Sequence, residues 1–272
     1  MANLYQHFGA EESAFIDQAS SWIKQVEDRN VAHATYFLNP REFWILETLV
    51  NRADLQLFSS ASWLTGNEES LSAEVEYVKA IIAPLSADRP EWADFDIALL
   101  QIDYASKFKA ITHSQILGTF LGETGLDRRE IGDIFVTDDK AQIFVTARLV
   151  PVFLSDVTKI SGLNVRLIEV PISALIESST TKTNSVLLVS SLRLDKILSA
   201  ALRIPRNLAV NMIQSKKVKV NYQAISRNDL QLSIQDLISI RGFGRIRLMA
   251  DLGKTKKDKE KIEIEQISNH KK

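Results

Sequence analysis

The fold of the C-terminal part is indicated most clearly by residues 191–222, which read SLRLDKILSAALRIPRNLAVNMIQSKKVKVNY, and by residues 238–248, which read ISIRGFGRIRL. Apolar residues at 194, 197, 198 and 201 have the i, i+3, i+4, i+7 spacing of a helix with one buried face. Pro205 ends this helix and suits the start of a second one. Residues 216–222 alternate with period two, so Val218 and Val220 face inward and their neighbours outward. The pattern predicts a small unit of two helices and a few strands.

Charge is distributed very unevenly along the chain. Residues 190–248 contain eleven Lys or Arg against three Asp, a net charge of +8, and residues 249–272 add +2. Because the whole chain is at −1, residues 1–189 carry −11. One basic end on an acidic chain is typical of a protein that binds a polyanion. A solvated helix face is the usual alternative for such a run of charges, but the concentration of charge here favours nucleic-acid binding.

The side chains expected to contact RNA share a basic charge and lie in this C-terminal region. The two helices and the following strand are expected to present on one surface Arg193, Lys196, Arg203, Arg206, Lys217 and Lys219, and the later hairpin adds Arg241 and Arg245. Phe243, between two glycines, can either stack on a base or fill the core. Arg128 and Arg129 are weaker candidates for a second RNA contact, with a solvated helix end as the alternative.

Composition excludes several other classes of protein. The chain of 272 residues has no cysteine, and therefore no disulfide, thiolate zinc site or cysteine nucleophile. No secretory signal begins the chain, and no apolar run approaches the ~18 residues of a membrane helix, so a cytoplasmic protein is expected. The four histidines lack metal-ligand spacing, and Gly253-Lys254-Thr255 lacks the first glycine of a phosphate-binding loop, since position 248 is Leu. We therefore expect no catalytic residue, cofactor or metal.

The predicted fold class is α+β, with several regions in series. Residues 1–92 are expected to be mainly helical, with helices at 11–28, 40–52 and 68–85 and a strand from residue 55. Asn39 is expected to cap the second helix and Pro40 to be its first residue. Residues 93–176 show the order β-α-β-β-α-β of a ferredoxin-like, RRM-like domain. A capping box of Thr112 and Gln115 is expected to open its first helix, a hairpin turn is expected at Asp138-Asp139, and the second helix is expected at about 150–160. Residues 177–189 are expected to be a linker, residues 190–248 the RNA-binding domain, and residues 249–272 a mobile or weakly helical charged tail.

The pattern S-x-RLDK…IPR…SKKVKVN…D-x-ISIRG-x-GR, which spans residues 191–248, resembles the S4 RNA-binding domain. The resemblance implies that the two-helix surface contacts structured RNA. Two features depart from the family pattern: Pro205 stands where Ser or Thr is common, and Lys216-Lys217 and Gln235 replace turn glycines.

Over nearly its full length the chain resembles the YlmH family of bacterial S4 proteins. ITHSQILGTFLGETGLDRREIGDIFV, residues 111–136, is similar to the family block H-x-x-x-LG…G-x-x-R-x-x-IGDI, although Thr112-His113 departs from the usual His-Arg-Asp version. The resemblance implies a non-enzymatic factor whose S4 domain binds large-subunit rRNA and peptidyl-tRNA of stalled ribosomes in ribosome-associated quality control. A cell-division-linked adaptor that uses the acidic N-terminal region for a protein partner stays open, and an RNA-modifying enzyme ranks last.

Overall fold

The structure is a computed structural model that describes residues 12–64, 75–105, 111–137, 140–176 and 181–268. Helices and strands are mixed throughout, as predicted for an α+β protein. The chain divides into two compact units, residues 1–179 and residues 180–272, called unit 1 and unit 2 below. No helix among the described residues is both long enough and apolar enough to cross a membrane.

The first part of unit 1 packs helices on a small antiparallel sheet of order β1-β3-β2. Asn39 caps the second helix, because its side chain accepts hydrogen bonds from the backbone amides of Arg41 and Glu42. The carboxylate of Glu42 accepts one from the amide of Asn39, which completes a capping box. This confirms the helix start predicted at Asn39-Pro40. The elements are α1 (Ser13–Arg29), β1 (His33–Ala34), α2 (Pro40–Val50), β2 (Leu55–Ser59), α3 (Ala61–Leu64) and β3 (Ala80–Pro84).

The helix predicted at 68–85 is wrong where it can be judged. Residues 80–84 form the central strand β3, paired with β1 and β2, and residues 68–74 lie outside the described residues. Residues 80–83 are all buried. A short apolar run that is covered on both faces has no period of its own, so spacing cannot separate a buried helix from a buried strand.

The second part of unit 1 is a five-stranded antiparallel sheet of order β5-β6-β4-β8-β7. Strand, helix, strand, strand, helix and strand follow one another in the predicted order, and Thr112 and Gln115 form the predicted capping box. The helix expected at 150–160 ends at Asp156, and the turn expected at 138–139 lies outside the described residues. The elements are β4 (Ile97–Tyr104), α4 (His113–Thr124), β5 (Ile131–Val136), β6 (Ala141–Thr146), α5 (Val150–Asp156), β7 (Lys159–Ile160) and β8 (Leu163–Val170).

One apolar cluster joins the two parts of unit 1. Phe37 and Ile81 from the first part lie in the same buried cluster as Phe95 and Phe144 from the second. Gly132 is part of this contact, because a Cβ there would lie 2.7 Å from a ring carbon of Phe37. Residues 1–92 and 93–176 therefore share a core, where two separate domains were expected.

Unit 2 is a six-stranded antiparallel sheet with two helices packed on one face. The order of the strands is β11-β10-β12-β13-β14-β9. Apolar side chains of both helices and of every long strand meet in a single buried cluster. The elements are β9 (Thr181–Val189), α6 (Leu194–Leu202), α7 (Arg206–Gln214), β10 (Val218–Val220), β11 (Gln223–Ala224), β12 (Leu237–Ile240), β13 (Gly244–Lys254) and β14 (Glu260–Ser268).

The predicted linker and tail are both wrong over their described parts. Residues 181–189 form β9 and residues 260–268 form β14, and these two strands pair along their full length. Leu187 and Ile262 enter the core of unit 2, and in β14 the acidic Glu263 and Glu265 alternate with the buried isoleucines. The alternation in KIEIEQI has the period of a strand, but its charges favoured the interpretation as a tail. Residues 177–180 and 269–272 lie outside the described residues.

Candidate nucleic-acid interface

A buried carboxylate, that of Asp195, joins the N-terminal ends of the two helices of unit 2. Asp195 is 0% exposed and lies in the first turn of α6. Arg193 donates to its two oxygens through Nε and Nη2, both at 3.1 Å, and Arg206 donates to Oδ2 through Nε at 3.0 Å and Nη2 at 2.6 Å. Arg193 directly precedes α6 and Arg206 begins α7. One carboxylate therefore holds two of the predicted RNA-contacting arginines in defined positions.

The electrostatics of this cluster keep Asp195 ionised. Burial alone would raise the pKa of the Asp195 carboxyl, but the hydrogen bonds from Arg193 and Arg206 outweigh burial and lower the pKa to about 2. The side chains of Arg193 and Arg206 remain 30% and 55% exposed. Two guanidinium groups with one compensating carboxylate leave a net positive charge at the surface, and their remaining donors can bind phosphate oxygens.

The loop that precedes β12 supports the same cluster. The backbone amide of Asp195 donates to the carbonyl of Asn228 at 3.2 Å, and that of Leu194 donates to the carbonyl of Leu230 at 2.8 Å. The side-chain amide of Asn228 lies 3.5 Å from Oδ2 of Asp195. The start of α6 is thus anchored to a loop more than 30 residues further along the chain. Sequence reasoning missed Asp195 and counted it only as an opposing charge; an acid between two arginines at a helix start was the available signal.

Lys196 lies in the first turn of α6, three positions after Arg193, and Arg203 directly follows the last residue of that helix. Lys196 is partly exposed, and Arg203 lies at the end of the helix. Arg203 has φ 54° and donates its backbone amide to the carbonyl of Ser199. Together these cations define what we call the helical surface: Arg193, Lys196, Arg203 and Arg206.

Lys219 does not share the helical surface. Val218 and Val220 enter the core beneath the helices, so Lys219 between them points to the opposite face of the sheet. There its cross-strand neighbour is Ser239, which in turn lies opposite Arg245. Burial lowers the pKa of the Arg245 guanidinium, and the nearby Arg247 lowers it further. The single surface predicted from the sequence is therefore divided between two faces of unit 2.

Lys217, Arg241 and Phe243 lie at one end of the sheet, where β10 and β12 meet the turn between β12 and β13. The amide of Arg241 donates to the carbonyl of Lys217 at 2.9 Å. Both of these side chains are exposed, and Phe243 is 54% exposed at the tip of the turn. Phe243 therefore does not fill the core, which was one of its two interpretations.

Arg128 and Arg129, the weaker candidates, belong to unit 1 and contact tyrosine rings. The guanidinium carbon of Arg128 lies 4.1 Å from the ring centre of Tyr77, and that of Arg129 lies 4.5 Å from the ring centre of Tyr36. Arg128 also donates to the carbonyl of Ile131. These contacts give both arginines a packing role within unit 1.

Unit 1 contains a cavity of about 260 Å³ with ionisable walls. Lys79 is 2% exposed there, and burial lowers the pKa of its ammonium group to about 8. Its Nζ donates to the carbonyl of Asp96 at 3.0 Å, and the carboxylate of Asp96 also pairs with Arg148. The positive charges of Lys79 and Arg148 are balanced by the carboxylates of Asp96 and Glu130, as in a structural ion network. Among the described residues, no three His, Cys, Asp or Glu side chains are grouped to hold a metal ion.

Comparison with known proteins agrees with an RNA-binding function of the chain. Residues 90–174 match the family model described as "Putative RNA-binding domain in YlmH", which places the chain in the class of RNA-binding proteins. Over 265 residues the chain is 32% identical to "Ribosome-associated protein quality control protein P2" of Bacillus subtilis (strain 168), a match that covers 97% of this chain and 99% of the relative. The chain belongs to the YlmH family.

A solved structure also resembles this chain. It is "Cell division protein ylmH from Streptococcus pneumoniae", with 34% sequence identity and a TM-score of 0.54. The match covers 64% of this chain and 99% of the other. The two names attached to these relatives point to two different processes, translation quality control and cell division.

Proposed function

We propose that the protein is a non-enzymatic RNA-binding translation factor of the cytoplasm. Unit 2 acts as an S4 domain that binds large-subunit rRNA and peptidyl-tRNA of stalled ribosomes in ribosome-associated quality control. Two short helices packed on a sheet, in the region of the S4 sequence pattern, support this assignment. The name of the Bacillus subtilis relative supports the process.

The observation that carries the proposal is the positioned positive charge of unit 2. Residues 180–272 contain 19 Lys or Arg and 8 Asp or Glu, a net charge of +11, whereas residues 1–179 are at −12. Within unit 2, Asp195 holds Arg193 and Arg206 at the starts of two helices, 13 positions apart in sequence. Fixed guanidinium groups lose little conformational entropy on binding a phosphate backbone, so this surface suits the shape-based recognition of structured RNA.

The region that matches the family's RNA-binding model carries little electrostatic attraction for RNA. Residues 90–174 contain 12 Asp or Glu and 8 Lys or Arg, a net charge of −4. Phosphate contacts supply most of the non-specific affinity for nucleic acid. We therefore assign the main RNA grip to unit 2, and to residues 90–174 at most a contact that is specific and weakly charged.

The test is co-sedimentation with large ribosomal subunits, empty or carrying peptidyl-tRNA, over a series of salt concentrations. The variant Lys196→Glu with Arg203→Glu removes two cations from the helical surface and leaves Asp195 with both of its arginines. Removal of one phosphate-binding cation lowers the magnitude of the log–log salt slope by about 0.7–0.9, so the double variant should bind more weakly and with a slope reduced by about 1.4–1.8. Arg193 is unsuitable for this test, because its removal would leave a buried carboxylate short of a partner.

The matched control is Lys256→Glu with Lys257→Glu, which makes the same change in net charge at the exposed turn between β13 and β14. If the helical surface binds RNA, the control keeps most of the wild-type affinity while the test variant loses it. An equal loss of affinity in both variants would show that net charge alone, and not the helical surface, determines binding. Undiminished binding by a folded test variant would contradict the proposal.

A second function, that of a cell-division adaptor, is favoured by the acidic character of unit 1 and by the name of the Streptococcus pneumoniae relative. The exposed Trp44 and Trp63 give unit 1 apolar surface for a protein partner. A pull-down with residues 1–179 separates the two functions. The fragment must end before β9, because that strand belongs to the sheet of unit 2. Recovery of division proteins without ribosomes would favour the adaptor.

A further inference from the structure

An aromatic ring projects from the most basic unit of the protein. Phe243 is 54% exposed and lies at the tip of the tight turn between β12 and β13. Its amide donates to the carbonyl of Ile240 at 3.0 Å, which closes the turn. Gly242 and Gly244 have φ of 88° and 105°, a left-handed backbone that favours glycine. The turn therefore holds the ring outward, and the residues directly before and after Phe243 have no side chains that could cover it.

Two cationic residues, Lys217 and Arg241, lie at the base of this turn. The amide of Arg241 donates to the carbonyl of Lys217 at 2.9 Å, which continues the pairing of Val218 with Ile240 by one position. Lys217 and Arg241 are therefore neighbours across the two strands. Lys216 and Lys217 also donate their amides to the last carbonyls of α7, so the chain enters β10 in a fixed geometry. Two exposed cationic residues thus lie at the base of the turn that carries the exposed ring.

The ring of Phe243 lacks the arginine contact that the exposed rings of Trp44 and Trp63 each make. Trp44 has the guanidinium of Arg41 4.5 Å above its ring, and Trp63 has that of Arg89 at 5.0 Å. Over the described residues, no guanidinium or second ring stacks on Phe243 in this way. More than half of an apolar ring in water costs free energy in the unbound protein, and a flat partner would remove that cost.

We propose that Phe243 stacks on an unpaired RNA base while Lys217 and Arg241 bind the phosphates on either side of that nucleotide. This deepens the proposed function and rests on it: the helical surface binds paired RNA, and the turn between β12 and β13 recognises a loop or bulge. Single-stranded bases are commonly bound by an aromatic platform within a basic surface. The glycines on both sides of the ring allow a sugar–phosphate backbone to approach the turn closely.

The test compares two RNA probes with the full-length protein. One is an RNA hairpin with 2-aminopurine at an unpaired loop position, and the other is the same stem as a fully paired duplex. Phe243→Ala should weaken binding of the hairpin about 5-fold to 150-fold, the range that one stacked base contributes, and should abolish the quenching of 2-aminopurine. Duplex binding should change less than about 2-fold, since it needs no unpaired base.

Two further variants distinguish stacking from simple apolar contact. Phe243→Trp should keep hairpin binding and quenching, whereas Phe243→Leu should lose both. Leu208→Ala, which shortens another exposed apolar side chain of unit 2, should change neither. Wild-type affinity of Phe243→Ala for the hairpin would refute this inference and leave the proposed function standing. Failure of the wild-type protein to bind either probe would refute both.

Discussion

Asp195→Asn is the most informative substitution in this protein, because it removes one charge from the centre of the helical surface without changing side-chain size. The pKa of the carboxyl falls from 3.8 to about 2 on folding. Each pKa unit corresponds to about 1.4 kcal/mol, so the ionised group stabilises unit 2 by about 2–3 kcal/mol at neutral pH. Since Asp195 is 0% exposed, water cannot replace the interactions that the substitution removes. We expect the variant to lose about that much free energy of unfolding.

The same pKa predicts the dependence of this loss on pH. A carboxyl whose pKa is lowered by folding contributes its full stability above its unfolded pKa, and loses that stability as pH falls through the folded pKa. For Asp195 the window runs from about pH 4 down to about pH 2. The difference between wild type and Asp195→Asn should therefore be constant from about pH 7 to about pH 5. It should fall to about half near pH 3.

Hydrogen exchange of α6 and α7 peptides during urea titration measures the stability of unit 2. The fluorescence of the four tryptophans, Trp22, Trp44, Trp63 and Trp92, reports on unit 1 and should not change. The control is Asp229→Asn, which removes an acid that is 53% exposed and 3.4 Å from Arg227. A surface pair of this kind contributes under about 1 kcal/mol.

Asp195→Asn also separates positioned charge from net charge in RNA binding. The variant makes unit 2 more positive by one, so attraction by net charge alone would strengthen binding to the duplex probe. If Asp195 positions Arg193 and Arg206, binding weakens instead. Unchanged stability at neutral pH, or tighter RNA binding by the variant, would refute the role assigned to this carboxylate.

Three further substitutions test the fold. Gly132→Ala should destabilise unit 1 by about 1–3 kcal/mol in urea titrations followed by tryptophan fluorescence, because the new Cβ would meet Phe37 at 2.7 Å and Phe144 at 2.9 Å; wild-type stability would contradict this packing. Burial raises the pKa of Asp133 to about 7, so wild type should lose stability relative to Asp133→Asn as pH rises from about 4 to 7. Parallel profiles of stability against pH for the two proteins would contradict the raised pKa. Gln235→Gly should stabilise unit 2 by about 0.5–1 kcal/mol in hydrogen exchange, since Gln235 has φ 78°; a loss would show that its side chain compensates for the strain.

Local signals in the sequence were sufficient where chain neighbours determine the structure. The caps of α2 and α4 depend on residues three positions apart, and both were predicted correctly. The apolar stripe of α6 was predicted from spacing alone, and Leu194, Ile197 and Leu198 are buried as expected. The positions where the S4 pattern has turn glycines also keep their conformation, since Lys216 and Gln235 both have positive φ.

Long-range pairing was not accessible in the same way. β9 and β14 are more than 70 residues apart in sequence; β9 begins with five polar residues, and β14 has three isoleucines among charged or polar residues. Their apolar residues gain a core only when the two strands lie side by side. The central strand β3 has the opposite problem, because burial on both faces removes the alternation that identifies a strand.

The amino-acid sequence by itself determines three properties: the charge asymmetry, the family, and the set of basic residues available for RNA. Each of these depends only on which residue stands at which position in the chain. How those cations are grouped depends on the folded chain. Folding places Arg193 and Arg206 on one carboxylate, Lys219 on the opposite face of the sheet, and Phe243 in solvent. These placements follow from strand register and from the burial of Asp195, which depend on contacts between residues far apart in the chain.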